Sequence, residues 1–573
     1  MSSLAQKLSE IVGAAFEEQG LPRELGDVRV SDRPDLAQFQ CNGAMAAAKV
    51  AKKNPREVAQ GVVDTLNSHA EFEKIEIAGP GFINLNVTDE FLQNHLKSVA
   101  QDERLSVLRM GGETVMLDYG GPNIAKPMHV GHLRASIIGD SLRRICKFGG
   151  YNALGDVHMG DWGTPMGMII SELEERGALG QPLTMDDLEE IYPKAAAACK
   201  EDEARMERAR DATRKLQDGD PEYRSAWQQF IDVSIDGMKK NFDALGVHFD
   251  LWEGEASVHE LIAPMADDLK AKGVAVESEG ALVIEVEEKD DKKEMPPLIL
   301  YKSDGAVMYG TTDLATIVDR VQKYNPAKIL YVVDQRQGLH FEQVFRAARK
   351  GGLVSDATEL THAGFGTMNG QDGKPFKTRA GGVMRLEDLI AMGIEKAQAR
   401  LNEADLAADM NEQERGTIAH KVAIAAIKFA DLSNNRISDY VFDLDQMTAF
   451  EGKTGPYLLY QAVRIKSLLR KAADQGADVG DAFVIQDQDR ALALLLTELP
   501  DHFVLALKNY TPHVLCDYAF KLAQAFSSFY ASCHILSEED AALRGSRLAL
   551  CDLVQKQLAL ILGLLGIAVP ERM

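Results

Sequence analysis

The chain has 573 residues, of which 45% are hydrophobic and 26% charged, and it carries a net charge of −24. That length exceeds what one hydrophobic core organises, so three or four domains are expected, and the composition excludes a disordered or fibrous chain. The acidic balance excludes a uniformly basic surface and leaves local basic tracks, at residues 49–56, 143–147 and 464–471, as the candidates for meeting nucleic-acid phosphates. Each of these fits a solvated helix face equally well. No apolar run reaches the length of a membrane span and the start, Met1-Ser-Ser-Leu, lacks a signal-peptide pattern, so a cytoplasmic protein without a membrane partner is expected. Cys41, Cys146, Cys199, Cys516, Cys533 and Cys551 are scattered with no Cys-x-x-Cys pair, which reads as buried thiols rather than a disulfide framework or a zinc ribbon.

In chain order, residues 4–87 form a first unit of helices and a short sheet. It closes with Ile75-Glu-Ile-Ala-Gly-Pro-Gly-Phe-Ile-Asn-Leu-Asn-Val87, where apolar residues alternate about a Pro-Gly turn as in a hairpin. From Val115 short apolar strands alternate with helices, which predicts a doubly wound parallel sheet. One half holds residues 115–117 and the helix after them. The other holds Ile329-Leu-Tyr-Val-Val-Asp334 and a helix from Phe341. Between them lies charged, mostly helical sequence and then the β-rich Ala281-Leu-Val-Ile-Glu-Val286, an insertion between the sheet halves. After Leu386 the chain turns almost wholly helical. A helix starting at Pro456 carries Tyr457, Tyr460, Arg464 and Arg470, a mix of rings and cations that suits unpaired bases, although the spacing also fits a core role for one tyrosine.

The most telling stretch is Met116-Leu-Asp-Tyr-Gly-Gly-Pro-Asn-Ile-Ala-Lys-Pro-Met-His-Val-Gly-His132. It reads as a buried strand, a Pro/Gly-broken turn and a helix opened by the two histidines. A helix N-terminus presents unpaired N–H groups and partial positive charge, so two imidazoles placed there make a compact site for phosphate oxygens. Zinc would need further ligands, which no nearby Cys or His supplies. Leu133, Ile137, Ile138, Leu142 and Ile145 then recur at helical spacing, burying one face and leaving the first turn at the sheet edge, where open parallel sheets bind ligands.

His129-Val-Gly-His132 resembles the HIGH signature of class I aminoacyl-tRNA synthetases. Around it, Pro122-Asn-Ile-Ala-Lys-Pro-Met-His-Val-Gly-His-Leu-Arg134 and Gly155-Asp-Val-His-Met-Gly-Asp-Trp-Gly-Thr164 look like the arginyl-tRNA synthetase family, bacterial type. Tyr309-Gly-Thr-Thr-Asp313, Asp334-Gln-Arg-Gln-Gly-Leu-His340, Gly373-Lys-Pro-Phe-Lys-Thr-Arg-Ala-Gly-Gly382, Ala430-Asp-Leu-Ser-Asn-Asn-Arg436 and Val569-Pro-Glu-Arg-Met573 agree, so the resemblance spans the chain. It implies an α/β fold: a doubly wound, Rossmann-like catalytic domain with an α+β N-terminal domain and an all-α C-terminal bundle. The boundaries expected are 1–108 for an N-terminal additional domain touching the outer corner of tRNA and 109–385 for the catalytic domain, with a connective insertion at about 172–300. Residues 386–450 would form a helical stem-contact region and 451–573 an anticodon-binding domain.

The resemblance also implies the chemistry: ATP-dependent activation of L-arginine to the adenylate and transfer to the 3′-terminal ribose of tRNA(Arg), with Mg²⁺ accompanying ATP, no structural metal, and a monomer. In-line displacement at phosphorus needs positioning and charge stabilisation more than a proton-transfer base. By the resemblance, His129, Gly131, His132, Gly366, Met368 and Lys377 meet ATP, with Gly131 expected to let the nucleotide approach the helix backbone closely. The usual Lys-Met-Ser-Lys-Ser wording is missing around Lys377, and Lys126 is expected to supply the missing positive charge. A guanidinium presents five donors in a plane, so its pocket must offer carboxylates and acceptors, with a ring as a wall. Tyr309, Asp313 and Glu255 are carried over to that pocket, Asn123 and Gln337 to the amino and carboxylate ends of the substrate, and Tyr457 and Arg464 to tRNA. The family leads one to expect that activation awaits bound tRNA. Three rivals fit less well. A cysteine or glutamate enzyme would need zinc ligands or an arginine in the pocket. A dead paralogue would not keep the site residues, and a small nucleotidyltransferase would lack the helical C-terminus.

Overall fold

The computed structural model describes residues 3–374, 376 and 383–573, and these divide into two compact units, one of residues up to 109 with 457–562 and 569–573, the other of 110–456 with 563–568. In the first, strands β1 (Val28–Val30), β2 (Phe39–Cys41), β3 (Phe72–Ala78) and β4 (Phe82–Val87) form an antiparallel sheet in the order β1-β2-β4-β3. Alternation buries Ile83, Leu85 and Val87 on one face of β4, and the expected hairpin turns on Gly79 and Gly81 at φ +50° and +138°, angles that a side chain would strain. The helices Leu4–Glu18, Gly43–Ala51, Pro55–Leu66 and Asp89–Gln101 accompany this sheet. The C-terminal part of the same unit is helical, with Gly455–Asp474, Asp487–Leu495, Leu499–Asn509, His513–Ser532 and most of Ala541–Leu564. All six cysteines are buried free thiols.

The second unit is built on β5 (Thr114–Asp118) and β6 (Asn152–Asp156), joined by the helix Leu133–Phe148. The three-stranded antiparallel sheet β7 (Ala275–Ser278), β8 (Ala281–Ile284) and β9 (Leu298–Tyr301) follows in the chain. The second half of the main sheet then comes from β10 (Lys328–Tyr331) and β11 (Glu359–His362), joined by the helix Gly338–Lys350. The main sheet is wholly parallel in the order β11-β10-β5-β6, as the strand–helix alternation predicts. Its two halves diverge from the β5–β10 pair, so the crevice beyond the carboxyl ends of those two strands is the topological switch point. The insertion supplies the helices Thr164–Glu175, Met185–Glu201, Glu203–Gln217 and Pro221–Leu245. The small sheet shares an apolar core with the helices His259–Ala271 and Tyr309–Tyr324 through Leu269, Ile284, Leu300 and Leu314.

Two features of this unit depart from or refine the sequence reading. The basic stretch 143–147 is committed internally: Arg143 and Lys147 pair with Asp250 at 2.6 and 3.0 Å, and Arg144 pairs with Asp140 at 2.7 Å. Arg143 and Lys147 thus tie the sheet helix to the loop at Asp250, and Arg144 is paired within its own helix, so these charges are partly spent inside the protein. The helix Glu412–Leu432 buries Lys428 completely, and its amine donates to the carbonyl of Gly566 at 2.8 Å and lies 4.0 Å from Asp140. Burial lowers that amine to about 8. The same helix starts on a capping box, in which the Asn411 side chain accepts from Glu414 N at 2.9 Å and Asn411 N donates to the Glu414 carboxylate at 3.1 Å. Replacing Asn411 by Ala is expected to cost about 1 kcal/mol of stability, measurable as a lowered denaturant midpoint.

Candidate functional site

The loop after β5 runs through Gly120 and Gly121 to Asn123, which forms a β-bridge with Gly160 beyond β6, and then reaches His129. The two histidines flank a short 3₁₀ turn, Val130–His132, that leads into the helix Leu133–Phe148. Both rings are tied to the backbone of this turn: His129 N donates to His132 Nδ1 at 3.1 Å and Gly131 N donates to His129 Nδ1 at 3.0 Å. Because each Nδ1 accepts, each ring carries its proton on Nε2 and offers that N–H outward. Burial, with His129 and Lys126 as cationic neighbours, drives His132 down to about 3, and burial with Lys126 lowers His129, so both stay neutral donors near neutrality.

This corrects one expectation. Val130 N donates to Met384 O at 3.0 Å and His132 N to His129 O at 2.9 Å, so every N–H from His129 to His132 is already used. Phosphate oxygens are left the imidazole Nε2–H groups rather than this turn's amides. Gly131 also has a different reason to be glycine: a Cβ there would lie 2.7 Å from the His129 ring. The residue makes room for its neighbour's imidazole.

Beside the histidines, Lys126 holds its amine 4.7 Å from the ring centre of Tyr192 on the insertion helix Met185–Glu201. A cavity of about 320 Å³ opens there, lined by Lys126, Met128, Lys240 and Arg385 among others. Lys377 lies outside the described residues. Gly366 is fixed on both sides, its N–H donating to Arg436 O at 2.8 Å and its carbonyl accepting from the buried Arg134 at 2.6 Å, and a Cβ would meet the Ser438 backbone at 2.6 Å. Its N–H is therefore not free for a nucleotide. Arg134 also pairs with buried Asp431 at 3.1 Å, which fixes the segment carrying Gly366 to the first turn of the histidine helix. Met368 is buried in the two-residue strand β12 (Met368–Asn369), paired with β13 (Tyr440–Val441).

Across the crevice lies a second cavity, whose lining includes one carboxylate, Glu255, and the lysines Lys126 and Lys302. Asn123, Glu255 and Tyr309 line this cavity of about 520 Å³, together with Trp162, His259 and Thr312. Tyr309 opens the helix Tyr309–Tyr324 and is 74% exposed, a ring poised at the rim. Glu255 starts the 3₁₀ turn Glu255–Val258. Its N–H donates to Met159 O at 3.1 Å, while the Asp161 carboxylate caps the turn by accepting from Ala256 N at 2.9 Å. Burial, with Asp161 and Asp313 adding and His158 opposing, pushes Glu255 up to about 7, and burial pushes Asp161 up to about 6. Crowded, desolvated carboxylates of this kind are arranged for a cation. Asp313, one turn after Tyr309, is bound at 2.6 Å to His340 Nε2. Gln337 is exposed on the turn Gln335–Gln337 that follows β10.

Beneath the cavity, Arg320 bridges Asp118 and Asp156, each at 2.7 Å, at the ends of β5 and β6. With His158, those two carboxylates form the one three-ligand metal-type cluster among the described residues, and the Arg320 guanidinium already neutralises it. Sequence reasoning missed Asp161, Arg320 and His340. Each lies in or beside a motif it quoted, but partners so distant in the chain leave no local periodicity to detect.

The residues expected to meet tRNA lie in the other unit. Tyr457 shares a hydroxyl contact with Ser527 at 3.4 Å and sets its ring edge-on to Phe520, while Arg464 lies over the Tyr530 ring at 4.3 Å.

Three family models match the chain: tRNA synthetases class I (R), catalytic domain, over residues 95–444; DALR anticodon binding domain over 458–573; and arginyl tRNA synthetase N terminal domain over 2–87. The chain is similar to proteins named arginine–tRNA ligase from Maricaulis maris and Hyphomonas neptunium, each 51% identical with all of both chains covered. Among solved structures it resembles the arginyl-tRNA synthetase of Plasmodium falciparum, at a TM-score of 0.84 and 26% identity with both chains fully covered.

Proposed function

The chain belongs to the class I arginyl-tRNA synthetases, enzymes that use ATP to attach arginine to tRNA, and from that membership we propose which of its residues carry the two steps. In the first, a carboxylate oxygen of arginine attacks the α-phosphorus of ATP, and the bond to the bridging oxygen breaks to release pyrophosphate. His129 and His132 donate Nε2–H groups to the phosphate oxygens as negative charge redistributes, preorganised by their Nδ1 bonds to the turn. Lys126 and Lys377 meet the departing pyrophosphate, and Mg²⁺ enters with the triphosphate of the substrate. Gly366 and Met368 contribute shape rather than donors to the nucleotide site. Glu255 and Asp313 hold the guanidinium, Tyr309 covers it, and Asn123 and Gln337 orient the amino and carboxylate ends.

In the second step a hydroxyl of the terminal ribose attacks the adenylate carbonyl and AMP leaves. Residues 1–108 contact the outer corner of tRNA, 386–450 its stem side and 451–573 the anticodon loop, Tyr457 and Arg464 included. The enzyme acts as a cytoplasmic monomer without a structural metal. No helix among the described residues is long and apolar enough to cross a membrane.

The observation that carries this reading is the presence, at the carboxyl ends of the parallel strands, of two neutral imidazole donors and of a cavity lined by the desolvated carboxyl of Glu255 with Asn123 and Tyr309. The test is ATP–pyrophosphate exchange across the twenty amino acids, with and without total tRNA. Exchange with arginine alone, dependent on tRNA, is expected; exchange with another amino acid, or with none, overturns the reading.

A pH dependence follows. Guanidinium binding needs Glu255 ionised, whereas in the empty cavity it titrates at about 7. Below that pH, binding must first displace a proton, so the KM for arginine is expected to fall as pH rises from 6 to 8. Glu255→Gln should raise KM and flatten that profile. Steady-state kinetics at fixed ATP and tRNA check it.

A further inference from the structure

The Asp313 carboxylate would be a poor guanidinium ligand on its own, since an aspartate near the start of a helix can swing outward to water or back toward nearby N–H groups. In this structure it is held. His340 Nε2 lies 2.6 Å from Asp313 Oδ2, and Asp313 has no other hydrogen-bond partner among the described residues. The two residues come from different walls of the crevice, Asp313 from the helix Tyr309–Tyr324 and His340 from the first turn of the helix Gly338–Lys350 that follows β10. Gln337 is on the turn immediately before, three residues away. The imidazole is itself backed: Phe341 sets its ring edge to it at 5.4 Å, and Phe341 packs at 4.8 Å on Tyr331 and at 5.2 Å on His362. An aromatic block thus fixes the imidazole, and the imidazole fixes one oxygen of the carboxylate.

We propose that His340 is a positioning residue for arginine capture, acting through Asp313: its Nε2–H occupies Oδ2 and turns Oδ1 toward the guanidinium. This rests on the reading of Asp313 as a guanidinium ligand. A carboxylate presents two oxygens, and a planar fork of N–H donors binds best when the acceptor is already oriented, so the cost of ordering Asp313 is met before substrate arrives. The hydrogen bond to Asp313 in turn raises the pKa of His340 against the opposing effect of burial. The other titratable groups facing this pair are Glu255 across the cavity, Tyr331 below, and Asp334, Arg336 and His362 around the end of β10. Arg336 is taken up by Asp334 at 2.6 Å, and His340 is the side chain that meets Asp313.

The experiment measures steady-state arginylation for His340→Ala, His340→Gln, His340→Asn, Asp313→Asn and the double variant His340→Ala with Asp313→Asn, with thermal unfolding as a check on folding. Loss of one charged hydrogen bond predicts an arginine KM raised about tenfold in His340→Ala, with kcat and the KM for ATP nearly unchanged. Gln places an N–H where Nε2 stands and should restore most of the affinity, whereas Asn is too short and should behave like Ala. The double variant should be no worse than Asp313→Asn, because the histidine acts only through the aspartate. A normal arginine KM in His340→Ala, or additive losses in the double variant, overturns the inference while leaving the pocket intact. A normal arginine KM in Asp313→Asn overturns the pocket reading itself.

Discussion

Asp313→Ala is expected to raise the KM for arginine by at least about 30-fold, since truncating one partner of a buried charge pair costs about 2–5 kcal/mol. Two effects add. The guanidinium loses an anionic acceptor in a cavity whose other carboxylate, Glu255, is half neutralised when empty. His340 loses the group that holds it, so the imidazole no longer has a fixed place beside the incoming substrate. The ATP–pyrophosphate exchange rate at saturating arginine should fall far less, because no atom of Asp313 touches phosphorus in the proposed reaction. A KM within threefold of the parent protein would remove Asp313 from the pocket.

His132→Ala is expected to lower kcat for adenylate formation by about 10²–10³, the range for losing one preorganised donor to developing negative charge. The change also removes the acceptor for His129 N, so the partner imidazole loses part of its orientation, and the two histidines should behave as a unit with strongly non-additive losses. Since His132 stays neutral down to about pH 3, it should contribute no inflection to the rate between pH 6 and 8. Single-turnover formation of the adenylate, followed by quench, measures the first effect and a pH series the second. Retained rate in the alanine variant would sink the assignment of His132 as a phosphate donor.

The sequence made the sheet and the histidine turn legible because both are local patterns. Alternation and helical spacing mark β5, β10 and the helix Leu133–Phe148, and the Pro/Gly turn before His129 is visible in a single stretch. What the histidines do with their backbone was not legible. The expectation of free amides at a helix N-terminus ignored that an imidazole can itself serve as the cap, which takes those amides up. Gly131 misled for the same reason, since a glycine beside a ligand site and a glycine beside a bulky cap look alike in one dimension. The sequence motifs pointed to Asp313 and Glu255, and the structure places Glu255 on the cavity wall and Asp313 against His340. Asp161, which positions Glu255, and His340, which grips Asp313, belong to long-range pairings that no window of sequence contains. The basic stretch at 143–147 shows the opposite failure: a charge run that reads as a surface is spent on Asp140 and Asp250, one on its own helix and one on a remote loop.

The carbonyl that quiets the Lys428 amine belongs to Gly566, more than a hundred positions later in the chain. During synthesis, therefore, the amine lacks its shortest hydrogen bond until the ribosome has passed that glycine, and until then it has only the Gly246 carbonyl at 3.4 Å and Asp140 at 4.0 Å to offset its burial. The last piece of this unit is thus put in place only near the end of synthesis, and a nascent chain halted near residue 500 should be more open to proteases around Lys428 than the released protein.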